Sequence, residues 1–424
     1  MGKQLIKSVT ISKLWGIKDI KTEFNADVDI FIGANGTSKT TFLNLIESVL
    51  LADFQTLGNI EFESIIIQLQ NNESQNKICV QKKHNEYSII SYSFNNKESL
   101  ELPYSEFARR GVAFRPMRMN EMFQSIKDKL SEYVNISWLS VHRDNNQDDF
   151  ERSRERNRNY IDERLDDLMR KLTVYQLQLE SEASKIADKF KEEVFSLMLY
   201  NKDYDKVDVE NLEQFNPTEI KEDLSKTFTS LGVNAKAKTD MIQLHMRKLE
   251  EVVGIIKNKP TSLKLDNVFP LSLVNRTISL IRISKENEER KQCIFKPIIV
   301  YLEYLKNFMP HKEFKLDKES SGQLEIHLKD KKNNDIKLPL FSLSSGEKQL
   351  IILFTETLLQ KNEPFLFIAD EPELSLHIEW QRKIIETLRG LNSNAQIIVA
   401  THSPEIAGRW KQNVINMEKI IYYE

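Results

Sequence analysis

The sequence predicts an α/β fold: a mixed sheet with an antiparallel β layer beside it, and an α-helical, short coiled-coil domain inserted between two lobes. Three observations carry this reading. A short β-branched run, Asp27 to Ile32 (DVDIFI), leads through GANG into Phe42, Leu45, Ile46, Val49 and Leu50, which are spaced as on a helix. Further on, two apolar runs, Phe365 to Ala369 and Ile397 to Ala400, read as buried strands separated by a helix. Between these lobes Ile161, Leu165, Leu168, Leu172, Tyr175 and Leu179 recur at the alternating spacing of a heptad seam. The 424 residues therefore divide into a lobe over 1–145, a helical insertion over 146–318 and a second lobe over 319–424.

In the first lobe, Lys7 to Leu14 and Asp27 to Ile32 read as strands and Thr40 to Leu51 as a helix. Ser64 to Leu69, Lys77 to Gln81 and Tyr87 to Phe94 are strand-like runs, parted by asparagine turns at Asn71-Asn72, Asn85 and Asn95-Asn96; they form the antiparallel layer. From Arg143 to Lys171 charge dominates. The seam predicts a long helix from Asp162 to Tyr200, with further helices over Lys238 to Lys257 and Lys291 to Phe308. These make either an ordinary bundle or a stalk that reaches another protein, and the seam is too short for a long tether. Leu324 to Leu328 and Asp335 to Leu338 read as a hairpin.

Composition excludes several classes. Sixty Lys and Arg against 63 Asp and Glu give a net charge of −3, so this is no bulk basic coat for nucleic acid. A hydrophobic fraction of 40% is too high for a disordered chain. Two cysteines, Cys79 and Cys293, fit a reducing compartment. The start MGKQLIKSVTIS lacks a signal-peptide run, and no apolar stretch approaches the roughly 18 residues of a membrane span. A cytoplasmic protein is expected, with no membrane partner.

Glycine is scarce, at 12 residues, which makes Gly33 and Gly36 informative. IGANGTSKTT, Ile32 to Thr41, follows the pattern G-x-x-x-x-G-K-[ST] between a predicted strand and a predicted helix. In such a loop backbone N–H groups cradle phosphates, the lysine (Lys39) reaches the terminal phosphates, and the hydroxyl (Thr40) holds Mg²⁺. Asn35 and Gly36 tolerate unusual dihedrals, and Thr37 and Thr41 complete the lining. Ser38 stands where the pattern has glycine.

Two carboxylates, Asp370 and Glu371, come directly after the strand Phe365 to Ala369. Asp370 there can hold a Mg²⁺-bound water, and Glu371 can orient or deprotonate an attacking water. FSLSSGEKQLIIL places Ser344, Ser345, Gly346 and Glu347 at a loop-to-helix start, which reads either as an ordinary N-cap or as an anion contact. His402 ends the strand Ile397 to Ala400, where it is either structural or poised beside a γ-phosphate or a lytic water.

In chain order, GANGTSKT, LSSGEKQ, FLFIADEPE and IIVATHSP resemble the ATP-binding-cassette (ABC-type) ATPase head of the SMC, RecF and OLD families. The resemblance implies a P-loop head with ATP and Mg²⁺ as cofactors. Gly33 to Thr41 would form the phosphate loop and Leu343 to Gln349 the signature motif. Asp370 would be the Mg²⁺ ligand, Glu371 the catalytic glutamate and His402 the switch histidine. Ser345 replaces an expected signature glycine, and Arg143 is a candidate for the glutamine-loop position. Because one chain carries one phosphate loop and one signature, the resemblance implies a homodimer or a higher even-numbered oligomer. Only 22 residues lie beyond His402, too few for the nuclease domain of OLD proteins. The layout looks like the ATPase subunits of bacterial anti-phage systems, most like that of the PARIS system and next that of Septu. That likeness implies a scaffold holding a separate effector nuclease and answering a phage-encoded trigger protein. The alternative is a RecF- or SMC-like DNA-binding ATPase of DNA repair or maintenance. The basic clusters (Lys82-Lys83, Arg109-Arg110, Arg152 to Arg158, Lys329 to Lys332) favour it less, since most are interleaved with acids.

Overall fold

The computed structural model describes residues 2–84, 88–96, 98–103, 117–140, 160–199, 216–234, 238–258, 265–317, 323–329, 334–374 and 376–423. The chain forms two compact units, one from residues 1–173 with 300–424 and the other from 174–299.

The first unit is built on a five-stranded parallel sheet. Its strands lie in the order Val414–Asn416, Val28–Ile32, Ala395–Ala400, Phe365–Asp370, Ile136–Ser140. Parallel strands covered on both faces need continuous rather than alternating apolar sequence. Ala395–Ala400 is accordingly buried at every position. Beside it lies a seven-stranded antiparallel sheet, in the order Ile421–Tyr423, Lys18–Glu23, Leu5–Leu14, Ser64–Gln70, Gln75–His84, Ser88–Phe94, Glu98–Pro103. One core joins both sheets through the helix Lys39–Leu51, whose Phe42, Leu45, Ile46 and Val49 pack with Phe31, Ile368 and Ile398 and with Ile11, Ile67 and Tyr92. A small antiparallel sheet of Glu313–Leu316, Leu324–Lys329 and Asp335–Leu338 completes the unit.

The Gln396 amide stitches the two large sheets. Gln396, fully buried, accepts from the Ile6 N–H at 2.8 Å and donates to the carbonyls of Ile6 at 2.8 Å and Asn25 at 2.6 Å. One strand over, buried Asp29 accepts from the Asn25 backbone N–H (3.0 Å) and side-chain amide (2.7 Å). Burial pushes its carboxyl up to about 7, against those hydrogen bonds.

The helix Ser345–Leu359 is gripped by the ends of two long helices that belong to this unit. Asp162 and Arg164, at the start of Tyr160–Ser196, pair with Lys348 (2.7 Å) and with buried Glu356. Tyr301 and Phe308, near the end of Leu265–Phe308, meet Thr355 (2.8 Å, hydroxyl to hydroxyl) and Phe354 (ring centroids 5.0 Å apart). The second unit contains the helices Pro217–Ser230 and Thr239–Asn258, packed through Leu224, Ile242, Leu249, Val274 and Ile281.

The expected α/β class, with its antiparallel layer and helical insertion, is the one found. The helix expected from Lys291 begins at Leu265 instead. The stretch Lys285 to Lys291, charged except at Asn287, hides the apolar period there, but its Lys, Glu and Arg residues are good helix formers and the helix continues through it. The strands Lys18–Glu23, Glu98–Pro103 and Ile136–Ser140 and the helices Met117–Tyr133 and Pro217–Ser230 are not anticipated by the sequence patterns. Arg143, Arg109-Arg110 and Arg152 to Arg158 lie outside the described residues.

The stitching residues generate two expected outcomes. Gln396→Leu strands the Ile6 N–H and C=O and should destabilise the first unit by about 3 kcal/mol, read from the denaturant midpoint. For Asp29, the folded state keeps a proton that the unfolded chain loses above the ordinary carboxyl value of 3.8. Its contribution therefore falls as pH rises from about 4 to about 7, and comparison with Asp29→Asn over that range should isolate the slope.

Candidate nucleotide site

The loop after strand Val28–Ile32 is shaped by its backbone. Gly36 lies at φ +85° and Ser38 at φ +65°, both left-handed. The pattern's glycine would take the Ser38 conformation freely; a serine holds it at a cost of about 1 kcal/mol. Ser38 sits at the N-cap of helix Lys39–Leu51 without capping it through its side chain. Its hydroxyl is instead 3.4 Å from the Nζ of Lys18, a cation that the phosphate-loop pattern does not include. At Gly33 a Cβ would fall 2.8 Å from Thr37 Oγ1. Thr37 closes the turn, its hydroxyl and N–H donating to the Ala34 carbonyl at 2.8 and 3.3 Å. Asn35 and Thr40 are exposed and Thr41 is half-buried.

Lys39 is buried and folds back on the loop, donating to the carbonyls of Gly33 (2.7 Å) and Ala34 (3.2 Å). Burial lowers its pKa, while Glu371, Asp370 and Glu418 pull it upward. The lysine thus sits in the field of both expected carboxylates and of a third, Glu418, which arrives from the segment after strand Val414–Asn416. Phe31 pairs with Ala400 and Ala400 with Asp370, so the loop, the carboxylates and His402 leave the same edge of the sheet. Ligands of open α/β sheets bind at this carboxyl edge.

Glu371 is left-handed at φ +49°. Its N–H donates to the Ala400 carbonyl at 2.8 Å, and its own carbonyl accepts from Leu374 at 3.1 Å. Its Oε1 stands 3.8 Å from His402 Nε2. Both side chains are part-exposed.

The expected signature residues have partners of their own. Ser344 caps helix Ser345–Leu359 and Glu347 closes the capping box, with Ser344 N–H to Glu347 Oε2 at 3.0 Å and Glu347 N–H to Ser344 Oγ at 3.4 Å. Glu347 also pairs with Lys312. Burial would raise its pKa, but the hydrogen bonds from Lys312 and the Ser344 N–H outweigh that and hold it below the usual range. Ser344 and Ser345 are exposed and Gly346 is buried. Among the described residues, none of the four shares a hydrogen bond or ion pair with residues 33–41. Gln349 links this helix to the turn after the carboxylates, donating to the Pro372 carbonyl at 3.3 Å.

These groups fit a magnesium-bound triphosphate. A buried ammonium and a helix N-terminus suit phosphate oxygens, and the Thr40 hydroxyl and Asp370 carboxylate are hard oxygen donors for a cation that takes its remaining ligands from phosphate and water. Among the described residues no group of three or more His, Cys, Asp or Glu could hold a metal by itself.

Comparison with known proteins agrees in kind. The family model described as "AAA domain, putative AbiEii toxin, Type IV TA system" matches residues 243–408. The "Retron Ec83 probable ATPase" of Escherichia coli is 37% identical over 84 residues, 17% of this chain and 16% of that protein. The "Retron Vc95 probable ATPase" of Vibrio cholerae serotype O1 biovar El Tor is 33% identical over 82 residues, with the same shares. The matched stretch thus spans 16% of the length of either curated relative. Among solved structures, the Smc head domain with an extended coiled coil from Pyrococcus furiosus, bound to the C-terminal domain of ScpA, aligns over 97% of this chain and 93% of that one, with a TM-score of 0.43 and 16% identity. The SMC head domain from Thermotoga maritima gives 97%, 94%, 0.39 and 11%. Scores this low leave the fold resting on the strand order described above.

Gly33→Ala must turn the Thr37 hydroxyl away from the Ala34 carbonyl or shift the loop, and should weaken ATP binding about tenfold, while Ser38→Gly, which suits the backbone already present, should leave binding intact. Calorimetric titration with ATP checks both.

Proposed function

We propose that this chain binds and hydrolyses ATP. The observation that carries the reading is the strand register that brings the loop holding Lys39, the carboxylates Asp370 and Glu371, and His402 out at one end of the parallel sheet, with His402 3.8 Å from Glu371. Lys39 and the loop N–H groups around Gly33, Asn35, Gly36, Thr37 and Ser38 hold and orient the phosphates. Glu371 orients a water for attack on the γ-phosphorus and takes its proton, while the bond from that phosphorus to the β–γ bridging oxygen breaks and ADP leaves. His402 steadies that water or the γ-phosphate. Thr40 and Asp370 would hold Mg²⁺, which would neutralise charge on the phosphates. The match to an AAA domain model and the ATPase names of two relatives support this.

Ser344, Ser345, Gly346 and Glu347 lie apart from the phosphate loop in contacts and are proposed to meet the nucleotide of a second copy, so that a homodimer or larger even-numbered assembly encloses two ATP molecules. We further propose a cytoplasmic scaffold that senses a phage-encoded trigger protein and controls a separate effector nuclease, as the layout of PARIS-like ATPases implies. The retron names of two relatives support this reading. Among the described residues no helix is long and apolar enough to cross a membrane.

Lys39→Ala should abolish ATP binding. Glu371→Gln should bind ATP but turn it over at least about a hundredfold more slowly, accumulating ATP-bound dimers in light scattering. Normal turnover by that variant would remove Glu371 from the role of base. His402→Ala should slow turnover and leave affinity unchanged. ATP hydrolysis stimulated by DNA and quenched by salt would favour a RecF- or SMC-like role instead.

A further inference from the structure

We infer that Glu373 is a positioning residue that sets His402 against Glu371. The inference rests on the ATPase reading for its kinetic consequence, though not for its geometry. Glu373 lies in the turn after the carboxylate pair, and its side chain is buried, with 8% of the residue exposed. Its Oε1 accepts from three consecutive residues of the neighbouring turn: the Thr401 hydroxyl, the His402 N–H at 3.1 Å and the Ser403 N–H at 3.2 Å. Its other oxygen, Oε2, is buried with no hydrogen-bond partner.

A carboxylate taken from water and only half satisfied is costly. What it achieves here is a fixed spacing. Glu371 is tied to the His402 side by its N–H bond to Ala400, and Glu373, two residues on, grips the backbone of His402 itself. The two bonds close a ring around the 3.8 Å approach of Glu371 Oε1 to His402 Nε2. Gln381 backs the ring from outside, accepting from the Ser403 hydroxyl at 2.7 Å and donating to the Leu376 carbonyl at 3.0 Å. A neutral acceptor could satisfy the same donors. The negative charge holds two amides and a hydroxyl on one atom more tightly, since hydrogen bonds to an ionised acceptor are roughly twice as strong.

The test compares Glu373→Gln, which keeps an acceptor and the shape, with Glu373→Ala and with His402→Ala, alone and in combination. Circular dichroism first establishes which variants are folded, and Glu373→Gln carries the test where Glu373→Ala is not. The affinity for ATP should stay within about twofold, while kcat falls about tenfold or more in Glu373→Gln and further in Glu373→Ala. Adding Glu373→Gln to His402→Ala should cost nothing more. Independently of turnover, the His402 ring resonance, one of seven histidines and assigned through His402→Ala, should move in Glu373→Gln while the other six stay. An unmoved His402 resonance, or kcat losses that multiply in the double variant, overturns the positioning role. A wild-type protein that hydrolyses no ATP overturns the ATPase reading instead, and the resonance then still decides the geometry.

Discussion

The arrangement of the candidate site depends on the register of the parallel sheet. Phe31, Ala400 and Asp370 lie level on three adjacent strands, so that the phosphate loop, the histidine turn and the carboxylate turn emerge at a common edge. Side chains alternate faces along a strand, so a slip of one residue would exchange Asp370 with Ala369 and drive a carboxylate into the core. The register is held by the cost of moving Asp370 into a core where Ile30, Phe31, Ile368 and Ile398 are all fully buried, and by the Gln396 amide that ties this sheet to its neighbour.

Two residues of the site sit in backbone conformations that most side chains avoid. Ser38 and Glu371 are both left-handed, and each is fixed on either side by regular structure: Ser38 by the start of a helix, Glu371 by its bonds to Ala400 and Leu374. Strain of about 1 kcal/mol at each persists because the surroundings over-determine it. In the loop the serine keeps the shape a glycine would give, so the departure from the pattern changes local energy more than geometry.

The site was legible in the sequence wherever a chemical residue ends an apolar run. Gly33 and His402 stand just beyond strands whose burial is readable from their apolar runs, Asp370 ends such a strand, and Lys39 opens the helix that the loop leads into. Lys18 and Glu418 were not legible as residues of the site, because no local spacing marks either of them for it. Lys18 reaches Ser38 from an antiparallel strand whose partner is Tyr423, and Glu418 reaches the field of Lys39 because Val414–Asn416 adds to the sheet beside the loop strand. Such proximity is written in the pairing of distant strands, not in local spacing. Glu347 shows the opposite difficulty: one residue type at one spacing satisfies both a capping box and a signature, and the sequence does not separate them. The helix over Leu265–Phe308 was half hidden because its charged middle has helix propensity but no apolar stripe.

The bond between Gln396 and Ile6 spans 390 residues of chain. Contacts of that separation form late, because the entropy of closing the intervening loop must be met before they return anything. During synthesis, strand Leu5–Leu14 can pair early with its neighbours Lys18–Glu23 and Ser64–Gln70, but the Ile6 N–H and C=O that Gln396 satisfies must wait until strand Ala395–Ala400 has left the ribosome.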